Sequence, residues 1–259
     1  MSDELLYEVR DGVGFVTFNR PQARNALTFA MYEGLAEICA SAADKGEAKA
    51  LVFQGAGDKA FAAGTDIAQF RDFKTPEDAI QYEQKIDRVL TAVERCPLPT
   101  VAALAGACTG GGAGIAAACD IRIAARDLKF GFPIARTLGN CLSAMNLARL
   151  SALMGAGRAR EVIFTSRLVG AEEAFAAGLV TELLDDKAAV EARAAELAAQ
   201  LAGQAPLTLK ATKEALRRLT AAAAEVEDED LIVLCYTSAD FREGLEAFLA
   251  KRKPEWKGR

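Results

Sequence analysis

The sequence predicts an α/β chain, a mostly parallel sheet flanked by helices and followed by a helical C-terminal third. Three observations predict it. Strand-like apolar runs alternate with helical stretches through residue 124, glycine-bearing loops follow two of those runs, and from Lys187 onward the signals are almost all helical. No internal repeat of fixed period is visible, and the 259 residues suffice for one main domain.

Val13 to Phe18 is apolar and rich in β-branched residues, bounded by Gly12 and by Asn19-Arg20-Pro21, and reads as a strand. Thr28 is an N-cap, and Met31, Leu35, Ile38 and Cys39 recur at helical spacing, so a helix runs from Thr28 to about Ala43. Ala50 to Gln54, stopped by Gly55-Ala56-Gly57-Asp58, reads as a strand buried on both faces. A helix from about Glu77 to Arg95 leads through Pro97 and Pro99 into the strand Thr100 to Leu104. A small-residue helix from Gly111 to Ala118 precedes the strand Ile121 to Ala124. Beyond Lys187, helical stripes run through Val190, Leu197 and Leu201, then Leu209, Leu216 and Leu219, then Ile232 and Cys235. The acidic run Glu225 to Asp230 reads as a solvated helix start, where the macrodipole favours negative charge.

Composition excludes several chemistries. There is no histidine, which removes Ser-His-Asp and Cys-His nucleophile pairs and histidine-ligated metals; no metal and no separate cofactor is expected. Six cysteines, spread without a C-x-x-C pair, read as reduced thiols in a cytoplasmic protein. No apolar run approaches the ~20 residues of a membrane span. A net charge of −5 gives no general attraction to nucleic acid or anionic membrane, although Lys251 to Arg259 is locally basic.

Two glycine-bearing stretches carry the chemical signal. Gly106-Ala107-Cys108-Thr109-Gly110-Gly111-Gly112-Ala113-Gly114 opens a helix, where a backbone without Cβ admits a ligand to unpaired N–H groups. A dinucleotide fingerprint fits only loosely, because seven residues separate Leu104 from Gly112; without Lys-Ser/Thr after the glycines a P-loop is excluded. Close helix packing on small residues is the other reading. Phe61-Ala62-Ala63-Gly64-Thr65-Asp66-Ile67 supplies a second small-residue loop after a buried strand, able to face the first across strand ends. Two facing N–H donors polarise one carbonyl, the arrangement of an oxyanion hole.

Taken in order, Asn19-Arg20-Pro21 with Asn25-Ala26-Leu27, the Phe61–Ile67 stretch, Gly106 through Cys119-Asp120, and the ending from Arg242-Glu243-Gly244 to Lys251-Arg252 resemble the crotonase superfamily, the enoyl-CoA hydratase/isomerase group. The resemblance covers almost the whole chain. It implies a spiral of repeated ββα/βαβ units over residues 1–186 with an acyl-CoA site, and a C-terminal helical region, residues 187–259, that assembles a homotrimer or hexamer. It implies an acyl-CoA thioester as substrate, coenzyme A being part of that substrate, with the backbone N–H groups of Thr65 and Gly111 as oxyanion donors. Coenzyme A contacts would fall on Ala23 and Arg24, on Asp66, Ile67 and Ala68, and on Phe248 and Lys251 of a neighbouring subunit.

The chain departs from the family pattern at its proton chemistry. Hydratases of the family carry two glutamates where this chain has Gly114 and Ile134. Adding water to a conjugated double bond needs a base and an acid, and neither residue moves a proton. Substitutes nearby are Arg136, to clamp a carboxylate on the acyl group, Asn140, to donate a hydrogen bond, and Cys141, as nucleophile or acid. Surface ion pair, turn residue and buried thiol are their ordinary readings. The expectation is an enzyme that stabilises a thioester enolate using non-standard acid or base residues. A decarboxylase or C–C hydrolase of the same fold and a catalytically silent acyl-CoA-binding protein are the alternatives. RNA binding does not fit the acidic balance.

Overall fold

The computed structural model describes residues 3–44 and 46–259. The chain opens with a hairpin, β1 (Leu5–Arg10) and β2 (Val13–Phe18), antiparallel in the register Leu5↔Phe18 to Arg10↔Val13. Its two-residue turn is Asp11-Gly12, both at positive φ (50° and 75°), the backbone that joins right-twisting strands most directly. β2 lies where the apolar run predicts a strand, and β1 is a strand beyond those predicted.

Thr28 caps α1 (Phe29–Ser41), its hydroxyl accepting from the Met31 N–H at 3.3 Å. There follow β3 (Ala50–Gly55), β4 (Ala60–Ala63) and α2 (Pro76–Arg95). Thr75 and Asp78 form a capping box at the start of α2. Because this box satisfies two otherwise orphaned donors, Thr75→Ala should cost about 1 kcal/mol of stability, checked by chemical denaturation. Next come β5 (Thr100–Leu104), β6 (Ala107–Thr109), α3 (Gly111–Ala118), β7 (Ile121–Ala125) and β8 (Lys129–Gly131). The remainder is α4 (Ile134–Thr137), α5 (Ala144–Met154), α6 (Ala156–Thr165), β9 (Val169–Gly170), α7 (Ala171–Ala176), β10 (Glu182–Leu184), α8 (Lys187–Ala202), α9 (Pro206–Ala223), α10 (Glu229–Tyr236) and α11 (Ala239–Leu249).

The strands form two sheets, one ordered β1-β2-β3-β5-β7-β10 and one ordered β4-β6-β8-β9. β3, β5 and β7 lie side by side in the first, while β4, β6 and β8, each the next strand along the chain, lie side by side in the second. The fold is thus a repeated unit that lays one strand on each sheet and returns, apart from the antiparallel β1–β2 and β8–β9 pairs. The crotonase-type spiral expected from the resemblance is present.

Leu51 and Phe53 face the core between the large sheet and α1, α2 and α3, while Ala50 and Val52 face α8 through Val190, Ala194 and Leu197. Burial on both faces is what a parallel strand requires, and it explains the unbroken apolar run of β3. A third cluster, Phe70, Ala79, Leu138, Ile232, Tyr236 and Phe241, ties α10 and α11 to α2. Among the described residues no helix is long and apolar enough to cross a membrane.

Candidate active site

β4 and β6 are neighbours in parallel register, Ala63 opposite Thr109. Each strand ends in a glycine at positive φ, Gly64 at 99° and Gly110 at 52°. The turns carrying Thr65 and Gly111 therefore leave adjacent strand tips and lie against each other: a Cβ built on Gly110 would come within 3.3 Å of Gly64 Cα. Neither residue could readily be anything else, since a side chain at these dihedrals is strained.

The sequence Arg20–Leu27 holds the first turn in place. Asn25, fully buried, accepts from the Arg20 N–H at 2.9 Å and donates to the carbonyls of Ala56 and Ala60 at 2.9 and 2.8 Å. Leu27 donates to Gly64 O and accepts from the Asp66 N–H, each at 2.8 Å, so it brackets Thr65 like a partner strand. That pairing turns the N–H of Thr65 to the opposite edge, the side of Gly110 and Gly111. Gly111 is the first residue of α3, where helix N–H groups lack intrahelical acceptors. Among the described residues, neither the Thr65 N–H nor the Gly111 N–H has a protein acceptor.

Side chains lock this pair from behind. Thr65 Oγ1 bonds Tyr32 Oη at 2.9 Å and Tyr82 Oη at 3.0 Å. A Cβ on Gly111 would lie 1.8 Å from Tyr32 Oη, and one on Gly112 would lie 2.2 Å from the Ala62 carbonyl oxygen. The small residues of α3 are the condition for its approach to β4, so the packing reading and the ligand reading of this stretch hold together. Burial raises the phenol pKa of both Tyr32 and Tyr82, keeping them neutral hydrogen-bonding groups.

Thr65 and Gly111 line one cavity of about 730 Å³. Ala23, Arg24, Asp66, Ile67, Ala68 and Asn140 line it too, as do Gly114 and Ile134; Phe248, expected from a neighbouring subunit, lines it from within the same chain. A Cβ on Gly114 would already press on Leu90 Cδ1 at 3.2 Å, and Leu90 also lines the cavity. Two candidates for the acyl group, Arg136 and Cys141, lie outside the lining. Arg136 is exposed on α4 and outside the lining, because that one-turn helix turns Ile134 inward and residues 135 and 136 to solvent. Lys251, expected to act from a neighbouring subunit, is exposed just past α11. Cys141 is also outside the lining, and its partnership with Cys235 followed by burial raises its pKa, the opposite of an activated thiolate.

The structure adds a residue that the sequence reading passed over. Glu83, 4% exposed, lines the cavity from the middle of α2. Tyr236 Oη donates to its Oε1 at 2.5 Å, and Asn140 Nδ2 donates to Tyr236 Oη at 3.1 Å. Glu83 Oε2 and Asn140 Oδ1 are both buried with no partner. Desolvation is the main cause that pushes the Glu83 pKa up to about 8, with Asp87 and Asp228 adding repulsion against the bond from Tyr236 and a weaker approach of the Ser143 backbone N–H. The signal was legible: Glu83 shares the buried stripe of α2 with Ala79, Ile86 and Leu90, the only charged residue on it.

Nearby, Arg149 is buried and bonded to Glu94 Oε1 and Oε2 at 2.9 Å and to Asp87 Oδ1 at 3.4 Å. Its charge is thereby committed within the protein.

Comparison with known proteins agrees with this architecture. A sequence model of the enoyl-CoA hydratase/isomerase family matches residues 8–259. A short-chain-enoyl-CoA hydratase of Clostridium acetobutylicum is 32% identical over 259 residues, covering 98% of this chain and 97% of its own. Among solved structures, an enoyl-CoA hydratase/carnithine racemase from Magnetospirillum magneticum is 34% identical with a TM-score of 0.79, covering 100% of this chain and 97% of that one. An enoyl-CoA hydratase from Mycobacterium avium subsp. paratuberculosis K-10 has a TM-score of 0.82 at 28% identity, covering 98% of each chain. Two sheets grown by one repeated unit, paired glycine turns at neighbouring strand tips, and a family match over nearly the full length converge: the chain belongs to the enoyl-CoA hydratase/isomerase family, the crotonase superfamily.

Proposed function

We propose that the paired turns form an oxyanion hole, in which the N–H groups of Thr65 and Gly111 bind the carbonyl oxygen of an acyl-CoA thioester as it gains enolate charge. The observation that carries this reading is the coincidence of two acceptor-free N–H groups at adjacent strand tips in one cavity. Enolate formation places negative charge on that oxygen, and donors already fixed in place stabilise it without reorganisation. Ala23, Arg24, Asp66, Ile67, Ala68 and Phe248 are the residues we assign to the coenzyme A moiety; Lys251, exposed near the same end, would meet its phosphates from a neighbouring subunit.

Self-association supports that last assignment. No residue of α9 is buried, and Leu207, Leu216 and Leu219 expose 78%, 60% and 70% of their surface, an apolar face a second copy would cover. We assign residues 187–259 to trimer or hexamer formation. The reduced cysteines favour the cytoplasm as the working compartment.

Calorimetry tests the central claim. An intact oxyanion hole binds a thioester enolate mimic more tightly than coenzyme A alone, and Gly111→Pro, which removes one N–H, abolishes the difference while leaving coenzyme A affinity in place. Equal affinities for both ligands in the wild type would identify a silent acyl-CoA binder. Because Gly114 and Ile134 have no group that can give or take a proton, a straight-chain enoyl-CoA should be hydrated far below ordinary hydratase rates.

A further inference from the structure

We propose that Glu83 is the group that moves a proton on and off the acyl chain in this cavity, and that the acyl chain it serves is uncharged. The inference rests on the thioester reading above and deepens it. Its basis is geometric: a carboxyl group in the same cavity as Thr65 and Gly111 has one oxygen fixed by Tyr236 and the other left without a partner. A buried acceptor with no hydrogen bond is costly, and it persists where a ligand completes it. Asn140 holds Tyr236, and Tyr236 holds Glu83, so both act as positioning residues.

One buried carboxyl group with one free oxygen, the other lining carboxylate, Asp66, being bonded to Arg20, suits a proton shift within a single molecule better than addition of water. The ionised Glu83 takes the proton from C2 of a 3-enoyl thioester, and the C–H electron pair moves into a dienolate whose oxygen lies on the two N–H groups. The protonated Glu83 then returns the proton to C4, the double bond settles between C2 and C3, and the carboxylate is regenerated. No water, oxidant or second acid is consumed. Family members are understood to use glutamates at other positions, those occupied here by Gly114 and Ile134; the assignment to α2 comes from this chain alone.

The charge distribution sets the specificity. Among the described residues lining the cavity the cations are Arg24 and Lys129, both solvent-exposed, whereas the buried end holds Glu83 with no counter-ion. Arg149 is already bonded to Asp87 and Glu94. A second carboxylate on the acyl group would meet Glu83 with nothing to pair it, which places the Arg136 clamp and an α-carboxyacyl substrate outside this reading.

The test measures deuterium uptake at C2 of butyryl-CoA in heavy water and conversion of 3-hexenoyl-CoA to the 2-enoyl ester, with thioester affinity by calorimetry alongside. Glu83→Gln should slow both reactions by about 10²–10⁴-fold, the usual worth of a positioned acid or base, while butyryl-CoA affinity changes little; Glu83→Asp should retain more of the rate. Succinyl-CoA should bind more weakly than butyryl-CoA. A Glu83→Gln protein that exchanges within about tenfold of wild type, or a wild type that binds the ester and exchanges nothing, overturns the proton assignment. Equal or tighter succinyl-CoA binding overturns the specificity. A wild type that binds no thioester refutes the underlying reading itself.

Discussion

Replacing Gly111 with alanine should lower turnover by about 10²–10³-fold, the loss expected when one oxyanion donor is displaced, and deleting the Tyr32 hydroxyl in the same chain should restore much of it. The new Cβ falls 1.8 Å from Tyr32 Oη, well inside contact distance. Tyr32 is fully buried and cannot swing away. Either its bond to Thr65 Oγ1 breaks or the first turn of α3 retreats, and both movements separate the two N–H groups. In Tyr32→Phe the nearest ring carbon would be 3.1 Å from that Cβ, a clash a small shift relieves. The double-mutant cycle therefore has a large, opposite-signed coupling. Additive losses in kcat/KM would show that Tyr32 does not press on Gly111, and the locking of the two turns through Tyr32 would be wrong.

Glu83→Gln should be more stable than wild type at neutral and alkaline pH, by a margin that grows as pH rises to about 8 and is constant above it. Burial raises this carboxyl from its ordinary value of 4.5 to about 8, so the folded state binds a proton that the unfolded state has released. Between those values the unfolded chain binds fewer protons, and stability falls as pH rises, by up to about 1.4 kcal/mol per pH unit. Below the unfolded value both states are protonated and the penalty vanishes. The groups that face Glu83 are Asp87 and Tyr82 on its own helix, Tyr236 on α10, Asp228 before it, Tyr32 on α1 and Cys141. Arg149 partly neutralises Asp87, and the phenols and Cys141 stay protonated through this window, so the carboxyls carry the effect. Urea denaturation of both proteins at pH 5 and pH 7.5 checks it; parallel stability curves would mean Glu83 ionises normally and is not shielded from water. In the wild type, the proton shift should accelerate over the same interval as the base form appears.

Much of this architecture was legible in the residues. Thr28, the Met31-Leu35-Ile38 spacing and the apolar run of β3 specify local structure by capping and burial, and the helix and strands formed where these predicted. The second sheet was not legible, because β6 and β8 have three residues each, too short for any period, and their existence depends on pairing across about twenty residues of sequence. β1 carried a readable signal in the Asp11-Gly12 turn and the alternation after Leu5. At the site, glycine revealed the backbone donors since only glycine tolerates those dihedrals and approaches. Sequence proximity points to residues beside Gly114 and Ile134, whereas Glu83 enters the cavity from a helix whose placement only the tertiary fold determines. Arg136 illustrates the same limit: close in sequence to a cavity residue, it points the other way.

The donors we propose for the oxygen are peptide groups at the tips of β4 and β6, while the proposed acid, Glu83, lines the same cavity from α2. Mutation can therefore rewrite the reaction by exchanging one side chain on a helix, leaving the electrophilic clamp untouched. Selection on such a scaffold acts on two separable modules, one encoded in the backbone path and protected by the absence of Cβ atoms, the other open to change at every residue the helices turn toward the chamber.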